Sequence, residues 1–357
     1  MNKKVVVIGG GPAGMAAAGK LQDFGYDVVL IEKQAEVGGH LNKWYKVFPD
    51  FTDAAEITAN LKAGLGNTRI LNNATVTEIK GSAPNFQVTT SRGEEIEAAA
   101  ILVSTGYKHF DATLKEEYGY GIYDNCINSV ELDAMLKTHS VRTRDGKVPK
   151  KVAIIHCVGS RDEKVDNNYC SRVCCTNAIK VGIEIKEQNP DCEIYCLYMD
   201  IRVFGRGYEE LYRTSQEKYG VQFLRGRLSE AGEKNDGSLL LRLEDTLTAK
   251  PMRLTVDLLV LMVGMEGNSE LAEVAGLTLG CDRFYATAHL QYSNNHSARS
   301  GIFLAGAATG PKAIMESITD GRSAAAEIAS FLASNQANFA SNLTGQAVTE
   351  MALSFFK

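Results

Sequence analysis

Apolar residues recur along this chain in two patterns. Short β-branched runs predict strands buried on both faces, and longer stretches with apolar residues every three or four positions predict helices. Lys3–Ile8 reads as the first strand, Met15–Phe24 as a helix, Asp27–Ile31 as the second strand and Ala54–Leu65 as another helix. From Arg69 to Val103 short strands predominate: Thr75–Ile79, Asn85–Thr90, Glu94–Ala98 and Ala100–Val103, separated by Gly81-Ser82 and Ser91-Arg92-Gly93. Ser104-Thr105-Gly106 closes this unit.

A second unit repeats the layout. A short helix, Ser129–Lys137 with Ser129 as its N-cap, and a charged linker with Pro149, Arg142–Lys150, precede it. Val152–Ile155 is its first strand, Cys170–Gln188 its helix and Glu193–Met199 its second strand. Tyr208–Tyr219 is helical, Leu239–Leu243 and Leu254–Met262 are strands, and Gly264 falls where Gly106 fell. The repeat implies a duplicated strand-turn-helix-strand unit. Gly301–Ala307 then reads as a strand ending in Ala-Gly, Gly310-Pro311-Lys312-Ala313 as a turn, and Ile314–Leu332 as a long helix. Ser334–Gly345 is polar and expected to be loosely ordered; Met351–Phe356 is apolar and expected to dock on the domain itself.

The first unit carries Gly9, Gly11 and Gly14 between strand and helix, with Glu32 at the end of the second strand, 18 residues after Gly14. This is the context a dinucleotide fingerprint requires. Gly9 permits the turn, Gly11 lets a pyrophosphate approach the backbone, and Gly14 lets helix and strand pack closely. The helix N-terminus favours phosphate, and Glu32 can accept from ribose hydroxyls. Val37-Gly38-Gly39-His40-Leu41 offers small residues beside a large ring, with His40 in a packing or hydrogen-bonding role.

The second unit has no such glycines. Its first strand runs into His156-Cys157-Val158-Gly159-Ser160-Arg161-Asp162, with one glycine where three are needed, so a nicotinamide site is not expected there. Instead Cys157, Cys170, Cys174 and Cys175, four of eight cysteines, fall within nineteen residues. With the helix starting near Cys170, Cys170 and Cys174 share a face, and Cys157 meets them from the strand end. The helix terminus favours thiolates. Four thiolates suit an iron–sulfur cluster or tetrahedral zinc, and buried inert thiols are the plain alternative; the adjacent Cys-Cys favours a cluster. No C-x-x-C dithiol is present. Cys192 and Cys196 lie about 13 Å apart on one strand face, at roughly 3.3 Å per residue, and are expected in the core. Cys126 and Cys281 are isolated and given the same reading.

Composition narrows the class. Hydrophobic residues make up 45% and charged residues 23% of 357, enough for two cores. A net charge of −5 argues against nucleic acid as partner. No apolar run approaches the ~18 residues of a membrane span. The N-terminal apolar run is cut early by Gly9-Gly10-Gly11-Pro12, so no export signal is read and a cytoplasmic location is expected.

The segment from Cys157 to Lys180, with the glycine motif and Gly38-Gly39-His40-Leu41-Asn42-Lys43-Trp44, closely resembles the A subunit of heterodisulfide reductases and its shorter relatives over about residues 3–332. The resemblance implies an α/β fold of two Rossmann-like three-layer domains, thioredoxin-reductase-like, the second inserted in the first. It implies an FAD-binding domain of residues 1–110 and 283–333, an NAD-like domain of 111–282 with a [4Fe–4S] cluster on Cys157, Cys170, Cys174 and Cys175, and a tail of 334–357. Gly9, Gly11, Pro12, Ala13, Gly14, Glu32, Lys33, Gly39, His40, Val76, Thr105, Gly106, Gly306, Ala307 and Ala313 would hold FAD. Ala307 stands where such flavoproteins usually carry an acid, which removes one expected contact. Lys180, more than a turn beyond Cys174, would reach the flavin, a solvated helix lysine being the plainer alternative. Arg161 and Arg172 would flank the cluster, surface charge being the alternative.

The chain lacks ferredoxin-like cysteine runs and is expected to be the short bacterial form. That form is an electron-transfer subunit of a heterodisulfide-reductase-like complex in sulfur oxidation. It is expected to work with B- and C-type iron–sulfur subunits and a lipoate-binding protein, and to form a homodimer. The alternatives are the A subunit of a quinone-interacting membrane-bound complex, or an NAD(P)H-dependent flavin disulfide reductase.

Overall fold

The computed structural model describes residues 3–354. Its first half runs β1 (Lys4–Ile8), α1 (Pro12–Asp23), β2 (Asp27–Ile31), α2 (Ala54–Ala63), β3 (Arg69–Leu71), β4 (Val76–Ser82), β5 (Asn85–Thr90), β6 (Glu95–Ala98), β7 (Ala100–Val103) and β8 (Tyr107–His109). Next come β9 (Cys126–Asn128), α3 (Ser129–Lys137), β10 (Lys151–Val158), α4 (Cys174–Gln188), β11 (Glu193–Tyr198), α5 (Tyr208–Glu217), β12 (Gln222–Arg225), β13 (Leu228–Glu233), β14 (Leu239–Asp245), β15 (Lys250–Val256) and β16 (Leu258–Val263). The chain closes with β17 (Met265–Gly267), α6 (Ala272–Ala275), β18 (Ile302–Leu304) and α7 (Ile314–Ser354).

Two five-stranded parallel sheets share one order. The first is β18-β7-β1-β2-β3; the second, read in the same sense, is β9-β16-β10-β11-β12. Each central strand is apolar and β-branched because both faces are covered: Val5–Val7 and Val152–Ile154 are fully buried. Each sheet is accompanied by a three-stranded antiparallel meander, β4-β5-β6 and β13-β14-β15. The expected duplication is therefore real, and the second unit lies inside the first, since β18 returns to pair with β7. The two crossing segments pair as an antiparallel ribbon, β8 with β17.

Four local expectations need correction. The α3 cap is Asn128, whose side chain accepts from the Val130 and Glu131 amides while Glu131 closes the capping box; Ser129 is the first helical residue. Helix α4 begins at Cys174, not Cys170, because Arg172 sits at φ +58° and interrupts the α path. Cys170 and Cys174 therefore do not share a helix face. The apolar run Leu254–Met262 is two strands, broken at Asp257, whose carboxylate accepts from the Lys150 and Lys151 amides. Helix α7 continues through Ser354, past the expected end at Leu332 and through the segment read as loose. The expected docking of Met351–Phe356 lies outside the described side chains.

Candidate functional site

Every site segment of the first domain follows the carboxyl end of a parallel strand, where open α/β sheets bind ligands. After β1, Gly9 takes φ +104°, and a Cβ there would lie 2.5 Å from the Ser104 carbonyl oxygen. A Cβ on Gly14 would lie 1.9 Å from the Gly9 oxygen, so the strand–helix contact admits glycine only. A Cβ on Gly11 would meet nothing within 4 Å, which leaves open space over the α1 N-terminus that Pro12 begins. After β2, the buried Glu32 carboxylate accepts from the Gly10 amide (2.7 Å) and the Gln34 amide (2.8 Å). Gly39, at φ +57°, packs against Gly11. After β7, the buried Thr105 hydroxyl has no hydrogen-bond partner, and Gly106 takes φ +68° into open space. The cradle fits a dinucleotide: a strand end stripped of side chains, a free helix terminus, a buried acid and an unpartnered hydroxyl.

Beside β18, Gly306 takes φ +71° against Ala13. Its amide donates to Asp320 of α7 (2.8 Å) and its carbonyl accepts from Lys312 (3.0 Å). Asp320 of the next helix, a residue the linear reading missed, thus anchors this turn. Ala313 donates its amide to Glu316 (2.8 Å). Lys33 pairs with Glu270 at the surface, and Val76 is buried at the start of β4.

A cleft opens between the two sheet ends. Trp44, Tyr107, His109 and Lys312 line it from one side, and Asp133, Cys174 and Lys180 from the other. His40 Nε2 donates to the Tyr107 carbonyl (3.0 Å), and the His40 and His109 rings meet edge to face at 4.5 Å. Burial lowers both imidazoles, His109 to about 3 with His40 adding to the effect, so both are neutral at pH 7. Lys180 is not a solvated helix lysine: it is 1% exposed. Its ammonium donates to the Lys46 carbonyl (2.9 Å) and Asp133 (3.1 Å) and pairs with Glu184 at 3.2 Å. Burial raises the Glu184 carboxyl to about 7, against the pull of Lys180 and with Asp133 adding to the rise.

The second sheet end is built around sulfur. Cys157, the penultimate residue of β10, takes φ +59°, where the β10–β16 register slips between Ile155 and Val158. Arg161, Asp166 and Arg172 also take positive φ in the loop beyond it. Non-glycine residues hold such conformations only when surroundings fix them. Here buried Asp162 accepts from Lys115 (2.8 Å) and pairs with Arg227 at 2.8 Å, while Asn167 donates to the Gly159 carbonyl and to Glu266, both at 3.0 Å.

The Cys157 and Cys174 sulfurs are 3.7 Å apart, and Cys175 Sγ lies 3.5 Å from the Asp200 carbonyl. Hydrogen bonding with Cys174 lowers the Cys175 and Cys157 thiols, and His156 adds to the effect on Cys175. Cys170 is half-buried in the loop, its sulfur accepting from the Arg172 amide (3.3 Å), and no contact with the other three sulfurs is seen among the described residues. Nor, among the described residues, do three histidine, cysteine or carboxylate side chains converge on one ion.

The groups around the sulfurs are distinctive. Both His156 ring nitrogens, Ser160 Oγ and Arg161 Nη1 are buried without a normal hydrogen-bond partner. His156 faces the sulfurs of Cys175 and Cys196; burial alone would lower it, and the sulfurs raise it to about 10. A sulfide-bearing cluster is an acceptor for such donors, and in that respect the surroundings fit one. Cys192, Cys196 and Cys126 are buried as expected, whereas Cys281 is exposed. Arg172 is committed to the Pro311 carbonyl and Glu316, both at 2.8 Å.

Two parallel sheets of one order, the first bearing a glycine cradle, define a flavoprotein-type fold of two dinucleotide-binding domains. The family described as pyridine nucleotide-disulphide oxidoreductase matches residues 3–155. The thioredoxin reductases of T. acidophilum (TM-score 0.66, 18% identity, 92% of this chain and 98% of that one) and Lactococcus lactis (0.64, 17%, 93% and 99%) share the fold. More particularly, over nearly its whole length the chain is similar to the A subunit of heterodisulfide reductases. The iron–sulfur A subunit of the CoB–CoM heterodisulfide reductase of Methanocaldococcus jannaschii is 33% identical over 94% of this chain and 65% of its own length. The A subunit of the H2:CoB-CoM heterodisulfide,ferredoxin reductase of Methanothermobacter thermautotrophicus is 33% identical over 92% and 64%. The chain therefore spans a little under two thirds of these curated relatives.

Proposed function

We propose that this protein is an FAD- and [4Fe–4S]-containing electron-transfer subunit of a heterodisulfide-reductase-like complex, and thus an oxidoreductase. When bound, FAD supplies two-electron chemistry and the cluster one-electron chemistry. Gly9, Gly11, Pro12, Ala13 and Gly14 would receive the pyrophosphate at the α1 N-terminus, and Glu32 the ribose hydroxyls. Lys33, Gly39, His40, Val76, Thr105, Gly106, Gly306, Ala307 and Ala313 would frame the rest of FAD. Asp133 and Glu184 hold the Lys180 ammonium at the wall of the cleft, where it would stabilise negative charge. Cys157, Cys170, Cys174 and Cys175 would hold the cluster, with His156, Ser160 and Arg161 donating toward its sulfur.

The observation that supports this reading is that His156 faces Cys175 and Arg161 faces Cys157, each with a buried nitrogen that has no normal hydrogen-bond partner, at the sheet end that corresponds to the glycine cradle. Iron and acid-labile sulfide are expected in equal amounts after strictly anaerobic preparation, with a broad visible absorbance band. Protein prepared that way without iron ends the proposal.

By resemblance, the partners would be B- and C-type iron–sulfur subunits and a lipoate-binding protein of cytoplasmic sulfur oxidation, with the chain as a homodimer. In the A subunit of a quinone-interacting complex, other chains would supply the membrane part; no helix among the described residues is long and apolar enough to cross a membrane. An NAD(P)H-dependent disulfide reductase would need glycines where β10 meets Cys157.

A further inference from the structure

The segment 199–207, which comes after β11 without regular structure, covers the sulfur group on one side. Cys175 Sγ lies 3.5 Å from the Asp200 carbonyl, so the thiol packs directly against this backbone, whose next residues enter the cleft wall. Outside lies a second cleft, with Arg172, Arg202, Arg206, Phe204, Met315 and Glu316 on its walls. Val173 and Ala313 line both this cleft and the inner one, so the two are back to back.

The outer cleft is basic on a chain whose net charge is −5. Glu316 is its one carboxylate and is taken by Arg172. Asp200, on the same segment, is shared by Arg161 (2.7 Å), Arg225 (3.5 Å) and Arg202 (4.0 Å). Arg206 has no ion-pair partner among the described residues. Apolar anchors sit among these charges: Phe204 is 68% and Met315 56% exposed, with the Arg172 guanidinium over the Phe204 ring. Exposed arginine with an aromatic and a methionine is the composition of a protein-binding centre, and its charge selects a negative partner.

We propose that this cleft is the docking surface for an acidic protein that carries a one-electron centre, seated so that the centre faces the 200–202 segment over Cys175. The inference rests on the reading that the cysteines hold a one-electron group, and it adds the place and charge of the partner.

The test measures binding of an acidic ferredoxin to the full chain by surface plasmon resonance, with basic cytochrome c as the control of opposite charge. Iron and sulfide are determined on the same sample. Ferredoxin is expected to bind at low salt and to weaken as the Debye length shrinks to about 8 Å at physiological salt. The Arg202→Glu/Arg206→Glu variant is expected to lose on the order of tenfold or more in affinity, and Phe204→Ala several-fold without altered salt dependence. All three side chains are exposed or half-exposed, and near-ultraviolet circular dichroism checks that the variants fold. Iron-loaded protein that ignores ferredoxin, or binds it equally after charge reversal, overturns the docking surface alone. Self-association abolished by the same substitutions, without ferredoxin binding, overturns it in favour of a second copy. Absence of iron and sulfide overturns the reading beneath it.

Discussion

The carboxyl ends of the two parallel sheets occupy equivalent places, and they differ in the connection that leaves the first strand. After β1 the chain turns through Gly9–Gly11 and enters a helix at once, leaving open space over Gly11 at the helix N-terminus. Near the end of β10 it takes a left-handed φ at Cys157 and then crosses a long clamped loop before α4 begins at Cys174. The first end is emptied of side chains and offers dipoles, as a phosphate ligand requires. The second is filled with side chains that offer sulfur and unpartnered donors, as a compact anionic cluster requires. On the proposed function one architecture would serve two chemistries through a changed connection, and the glycine fingerprint alone does not identify which repeat binds what.

Removing a thiol strikes hardest at this difference. Cys174→Ser is expected to abolish the iron content and visible absorbance of the second end while FAD stoichiometry stays unchanged, since the cradle shares no residue with it. Loss of FAD together with iron would show that the two ends are not independent.

Next in size is Lys180→Met, which strands Asp133 and Glu184 in the core. A buried pair broken from one side costs about 3–5 kcal/mol. Urea unfolding measures that cost, and a redox titration of bound FAD measures the functional one. An unchanged flavin potential removes Lys180 from the proposed role and leaves it a structural ion.

Glu184 extends the same test to pH. Its carboxyl titrates near 7 in the fold and near 4.5 when unfolded, so between these values the native state keeps a proton that the unfolded chain has released. Stability therefore falls as pH rises from about 4.5 to about 7, by at most about 3.5 kcal/mol at ~1.4 kcal/mol per unit. Glu184→Gln is expected to flatten that slope; a slope unchanged in the variant assigns it to other groups.

The two ends also differ in how far they could be read from sequence. The glycine end was legible because its determinants are local: Gly9, Gly11, Gly14 and Glu32 act through one strand-turn-helix-strand segment whose periodicity is plain. The repeated strand-turn-helix-strand layout followed from the same periodicity, whereas the strand order came only with the structure. The sulfur end was legible only in its cysteines. His156 meets Cys196 across the strand register, Asp162 is held by Lys115 and Arg227 from distant segments, and Asp133 reaches Lys180 from another helix. Asp320 likewise serves the Gly306 turn from α7. None of these pairings has a local signature, because each is made by sheet and helix packing. The start of α4 was misplaced because helix propensity shows nothing of a left-handed Arg172.

On the glycine side, Gly11→Val probes the contrast. The new side chain enters space that the protein leaves open, on an extended backbone it tolerates, so thermal stability without FAD is expected to change little. The same space is where a pyrophosphate would lie, so FAD affinity is expected to fall by about a hundredfold, as fluorescence titration would show. Unchanged affinity would move the phosphate away from this turn.

The smallest effect expected is also the one that discriminates best at the sulfur end. His156→Leu keeps the volume filled but removes a donor that faces Cys175 and Cys196. Hydrogen bonds to cluster sulfur stabilise the reduced form, which is the more negative, so the cluster midpoint potential should fall, on the order of tens of mV. His156→Gln, which retains a donor, should recover part of the shift. A purely structural histidine predicts the reverse pattern: lower stability and iron occupancy in the leucine variant, with an unmoved potential in the clusters that remain. Electron paramagnetic resonance across a redox titration separates the two, because it reports the potential of loaded clusters regardless of how many are lost.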